Sequence, residues 1–154
     1  VDLYEGTFDA VLMECVLSIL PQKEKALRRL HQALRPGGRL GLTDVTVTGT
    51  LPPHLQGTLS IAGCTGDALS LEEYVALAQA QGFVVEHHQD LRDTAESFLR
   101  DVKGKLLMAE VAIKLGKIPI DGHTLAAVKE TLTEVQDLVR QGMLGYGLVV
   151  ARKL

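Results

Sequence analysis

The run Phe8-Asp9-Ala10-Val11-Leu12-Met13-Glu14 is mostly apolar and is entered from Gly6-Thr7. It predicts a strand buried on both faces, the pattern that parallel sheets use. Pro21 suits the first turn of a helix, where its missing N–H costs nothing. Behind it Leu27, Leu30, His31 and Leu34 recur at helical spacing, with Lys23, Lys25, Arg28 and Arg29 largely on other faces. Arg35-Pro36-Gly37-Gly38 stops that helix, because Pro removes an amide donor and Gly allows a left-handed turn. Arg39 to Val45 then predicts a second strand. Strand, helix, glycine turn, strand is a βαβ unit, whose strands run parallel with a right-handed crossover.

Residues 46–69 predict a loop rich in Thr, Gly and Pro, long enough to suggest a function. Ser70-Leu71-Glu72-Glu73 is a capping box opening a helix with Tyr74, Val75, Leu77 and Ala78, which ends at Gly82. Phe83 to Asp90 predicts a third strand. An amphipathic helix is expected from about Thr94 to Lys117, and a turn at Pro119-Ile120-Asp121-Gly122. A further helix from Thr124 to about Arg140 precedes a final strand, Tyr146 to Arg152. The order β-α-β-α-β-α-α-β predicts an α/β fold in which the first two strands are parallel neighbours and the last two pair antiparallel.

Composition narrows the function classes. The 154 residues carry 16 basic and 19 acidic side chains, a formal charge of −3, with 46% hydrophobic residues. That balance speaks against collagen-like, disordered and disulfide-stapled chains. It also lacks the basic excess of a nucleic-acid or anionic-membrane binder. No apolar run reaches the roughly 18 residues of a membrane span, and Val1 to Gly6 does not form a signal peptide, so a cytoplasmic chain is expected. The two cysteines, Cys15 and Cys64, have no zinc-type spacing and are expected to be reduced. No Ser-His-Asp order or phosphate loop supports a hydrolase or kinase.

Gly6-Thr7-Phe8-Asp9-Ala10-Val11, followed after a helix by Leu34-Arg35-Pro36-Gly37-Gly38-Arg39-Leu40, resembles class I S-adenosylmethionine-dependent methyltransferases. Gly82-Phe83-Val84-Val85 is similar to a later strand start of that family, and Tyr146 to Arg152 to its closing strand. The resemblance implies a partial Rossmann-like methyltransferase sheet, strands four to seven, with flanking helices and a two-helix insertion before the last strand. It implies S-adenosylmethionine as cofactor, with Met13 and Glu14 at the edge of its pocket. It implies methyl transfer by in-line displacement, promoted by proximity and orientation. The family's glycine-rich turn after its first strand and the acid ending its second have no counterpart here; Gly142, Gly145 and Gly147 read as a helix stop and turn. The chain is therefore expected to be the substrate-side, C-terminal part of such an enzyme, inactive and without tight cofactor binding on its own.

Glu14-Cys15-Val16-Leu17-Ser18-Ile19-Leu20 and Gly63-Cys64-Thr65-Gly66-Asp67-Ala68-Leu69 resemble the cysteine segments of arsenite methyltransferases. That resemblance implies Cys15 and Cys64 as ligands of a thiophilic acceptor, for which soft thiolates are suited. Glu14 and Asp67 depart from the family pattern. Each cysteine also fits a small buried hydrophobe. Asp44 is a further substrate-side candidate. His54 sits in the long loop, and His87 and His88 point to opposite faces of one strand and cannot chelate one metal together, so no metal is expected. A small-molecule acceptor is the expected partner. The apolar edge of Phe8–Glu14 is expected to recruit a second copy of the chain, as unpaired edges do. A non-catalytic oligomerisation or interaction module is the alternative reading.

Overall fold

The computed structural model describes residues 7–56, 65–117, 119 and 122–154. In chain order these form β1 (Phe8–Glu14), a 3-10 turn at Leu17–Ile19, α1 (Lys23–Ala33), β2 (Leu34–Val47), α2 (Leu71–Ala80), β3 (Phe83–Asp90), α3 (Arg92–Lys114), α4 (Gly122–Arg140) and β4 (Leu144–Lys153). One four-stranded sheet has the order β1-β2-β4-β3. β1 and β2 are parallel, and β4 runs antiparallel to both β2 and β3. The last two strands thus pair as expected, with β4 inserted beside β2 and β3 at the edge.

Alternation along the strands sends Leu40 and Leu42 of β2, Val149 and Ala151 of β4 and Phe83 of β3 to one face. There they cluster with Leu27 of α1 and with Tyr74 and Ala78 of α2. Burying each Leu stabilises the fold by about 1.5–3 kcal/mol. A second cluster joins Leu51 and Leu55 to Val135, Leu138 and Val139 of α4 and to Leu144. The capping box opens α2 as predicted: the Ser70 hydroxyl accepts the Glu73 amide, and Glu73 Oε2 accepts the Ser70 amide at 2.8 Å. Toward the other end of the sheet, Arg39 of β2 stands directly opposite Arg152 of β4. Glu86 of β3 accepts from both, at 3.1 and 2.7 Å, which offsets the repulsion of like charges across strands.

Several boundaries differ from expectation. β2 starts at Leu34, not Arg39, because the Thr7 amide bonds to Ala33 O and Leu34 already pairs with Phe8. Pro36-Gly37-Gly38 is absorbed as a bulge: five steps on β2, Leu34 to Arg39, match two on β1, Phe8 to Ala10. Residues 53–56 of the expected loop form a helical turn, and α3 ends at Lys114 rather than Lys117. β1 is not buried on both faces. Val11 and Met13 pack against the main cluster, but Leu12 is 80% exposed, because β1 is the sheet's edge and no described element covers its second face. The predicted turn at 119–122 lies largely outside the described residues.

Candidate functional site at the carboxyl edge of the sheet

In sheets with parallel strands, ligands bind beyond the carboxyl ends of the strands. Cys15 occupies that position. Its amide donates to Thr43 O at 2.9 Å, which extends the β1–β2 ladder by one residue. Its φ is +49°, in the left-handed region, where no other described residue except glycine is found. That conformation costs a side-chain-bearing residue about 1–2 kcal/mol and turns the chain off the sheet into Leu17–Ile19. The half-buried Sγ lies 3.4 Å from Tyr146 Oη, and Tyr146 Oη donates to Thr43 Oγ1 at 3.2 Å. Residues from three strand ends therefore meet in one short polar chain. Burial, and then the neighbouring Cys15 thiol, push the acidity of Tyr146 to higher pH.

The turn after Cys15 is clamped from both sides. Asp44, 1% exposed, accepts the Ser18 amide on Oδ2 and the Val45 amide on Oδ1, each at 2.9 Å. Lys23 is buried and donates to Leu20 O at 2.8 Å, and the Asp67 amide donates to Ser18 O at 3.2 Å. The Tyr74 hydroxyl donates to Val45 O and accepts the Leu69 amide, both at 3.3 Å. Burial and the charge of Asp44 hold that hydroxyl protonated well past its usual range.

Sequence expectations fare unequally here. Cys15 stands at the edge, while Cys64 lies outside the described residues. Asp44 is not open to a substrate: both its oxygens serve backbone amides in a buried site, so its role is to position the turn. Met13 and Glu14 diverge, Met13 packing against the core and Glu14 lying exposed. His54 pairs with Glu134 at 2.7 Å, and His87 and His88 are both exposed. Among the described residues no three His, Cys, Asp or Glu side chains are grouped to hold a metal. Tyr146 and Thr43 escaped the sequence reading, since both lie in runs that read as plain strand. The available signal was an aromatic hydroxyl between Gly145 and Gly147, because a half-buried tyrosine needs a hydrogen-bond partner.

Residues 1–42 match the family model described as a methyltransferase domain. The structure overlays on a phosphoethanolamine N-methyltransferase of Haemonchus contortus with a TM-score of 0.77, covering 98% of this chain and 34% of that one at 16% identity. The fold is the Rossmann-like methyltransferase fold. Within it, 83 residues are 34% identical to the arsenite methyltransferase of Aquipseudomonas alcaligenes, over 53% of this chain and 24% of that protein. The arsenic(III) S-adenosylmethionine methyltransferase of Chlamydomonas reinhardtii overlays with a TM-score of 0.51, covering 97% of this chain and 38% of that one at 21% identity. The chain spans about a fifth to a third of the length of the curated arsenite methyltransferases it matches.

The neighbour from Haemonchus contortus was solved with S-adenosylhomocysteine. A nucleoside of that size is held in this kind of sheet by a glycine turn and a helix N-terminus. No glycine fingerprint of that kind exists in the 154 residues. The groove beside Tyr146, lined by Thr46, Thr48, Asp90 and Arg92, encloses about 90 Å³, and an open groove beside Lys23, Asp67 and Leu77 about 490 Å³. Sites that bury small-molecule ligands enclose roughly 300–1,000 Å³. The larger groove carries no glycine turn of that kind, so the described residues do not fit the whole group.

Proposed function

We propose that this chain is the acceptor-side part of an S-adenosylmethionine-dependent methyltransferase acting on trivalent arsenic or another thiophilic centre, with Cys15 and Cys64 as its thiol ligands. The observation that carries this reading is Cys15 itself, a thiol kept in a costly left-handed conformation at the carboxyl edge of a methyltransferase-type sheet. The second thiol is supported through the chain beyond it. Thr65, next to Cys64, is buried, and Asp67 is bonded to Ser18, three residues past Cys15. Similarity to the arsenite methyltransferases supports the choice of acceptor. Titration with phenylarsine oxide while free thiols are counted tests it. Loss of both thiols together at one equivalent is expected, and independent or absent reaction refutes the pair.

On this reading the chain alone does not bind S-adenosylmethionine tightly, since its own residues form only one side of the site. Isothermal titration yielding micromolar affinity contradicts that. The open β1 edge, with Leu12 exposed, favours self-association as a second property. A monomer mass by light scattering at high protein concentration excludes it.

A further inference from the structure

We propose that Tyr146 is a positioning residue for the Cys15 thiol, holding Sγ through its hydroxyl and passing the hydrogen bond on to Thr43. This rests on the reading of Cys15 as an acceptor ligand and adds what orients it. Three observations carry it: the 3.4 Å contact of Sγ with Tyr146 Oη, the 3.2 Å bond from that hydroxyl to Thr43 Oγ1, and the 2.9 Å bond from the Cys15 amide to Thr43 O. Backbone and side chain of Cys15 are thereby tied to the same β2 residue, the side chain through Tyr146.

A hydroxyl both donates and accepts, whereas a thiolate only accepts. With the thiol protonated, S–H donates to the Tyr146 oxygen and Tyr146 donates to Thr43. When the sulfur gives its proton to solvent or to a base, Tyr146 turns its O–H to the sulfur and the Thr43 O–H turns to the Tyr146 oxygen. Each group keeps a partner in both states, and only the thiol proton leaves. A sulfur that enters coordination to a thiophilic centre passes through this same deprotonated state, aimed by the tyrosine.

The test uses the whole chain carrying Cys64→Ala, in which Cys15 is the single thiol. Alkylation by iodoacetamide is followed from about pH 6 to 9, around the ordinary thiol range. Tyr146→Phe is expected to slow alkylation at neutral pH several-fold and to move the rate-against-pH curve to higher pH, the loss of thiolate being partly offset by the greater nucleophilicity of a more basic sulfur. Thr43→Val, which leaves the tyrosine in place, is expected to shift it the same way by less. A folded Tyr146→Phe chain with an unmoved curve overturns the proposal. So does an unmoved Thr43→Val curve if Tyr146→Phe fails to fold. A shifted curve, when the chain with both cysteines does not bind phenylarsine oxide, upholds the role of Tyr146 and removes the arsenic reading.

Discussion

Asp44→Ala is the substitution with the largest consequence that the structure lets one work out. It deletes the acceptors of the Ser18 and Val45 amides, both at 2.9 Å, from a site 1% exposed. A hydrogen bond to a charged group is worth about 1.5–3 kcal/mol net, so two amount to about 3–6 kcal/mol. Removing a buried carboxylate also relieves its desolvation, which brings the expected loss to the lower end, about 3 kcal/mol. In a chain of this size that lowers Tm by roughly 6–12 °C. Asp44→Asn restores one of the two bonds and falls between. The chain has no Trp, so unfolding is followed by far-ultraviolet circular dichroism. The turn that Asp44 holds begins at Cys15, so alkylation of Cys15 is expected to quicken in the variant. An Asp44→Ala chain within about 0.5 kcal/mol of the parent, the ordinary range for surface changes, refutes the clamp.

Gly38→Ala places a methyl 2.9 Å from Arg35 O and 3.2 Å from Asp9 O, both backbone atoms, and is expected to cost about 1–3 kcal/mol and to loosen β1 amides in hydrogen exchange. Gly37 has open space but φ +79°, so Gly37→Asn is nearly tolerated where Gly38→Asn is not; equal effects in urea melts contradict this. Ser70→Ala removes the α2 cap and is expected to lose about 1 kcal/mol in the same melts. Burial of the His31 ring, followed by the charge of Lys153, lowers its pKa below the ordinary value of about 6.5. The folded state therefore binds its proton later than the unfolded chain: this contribution is complete above about pH 6.5 and is lost as pH falls through the lowered value. His31→Phe, which keeps an aromatic ring against Phe83, is expected to flatten stability against pH in that window, and an unchanged slope counts against it.

Local signals served the fold well wherever both ends of an element were chemically marked. β1 and β3 end where their apolar or extended runs meet turn residues, and α2 carries its own cap. What failed depended on distant pairing. Pro36-Gly37-Gly38 read as a stop because nothing nearby shows that Leu34 already pairs with Phe8. Asp44 read as a site acid because the amide it serves belongs to Ser18, 26 residues away. The candidate site was half legible: Cys15 was singled out only through the resemblance of its segment, whereas its hydrogen-bond partner Tyr146 lies 131 residues further on, in a run indistinguishable from core strand. Periodicity reports which face a residue takes, not which hydroxyl it will meet.

If Cys15 is the ligand proposed above, its left-handed backbone sets folding and chemistry against each other. Glycine adopts φ near +49° without a Cβ penalty, so Cys15→Gly relieves about 1–2 kcal/mol of strain against an entropic cost of roughly 0.5–1 kcal/mol. A library of this chain sorted only for thermal resistance or soluble yield would enrich glycine at position 15 and discard the thiol. On the proposed reading, a stabilised version meant to keep its chemistry needs position 15 locked together with Cys64 and Tyr146, with the gains sought elsewhere.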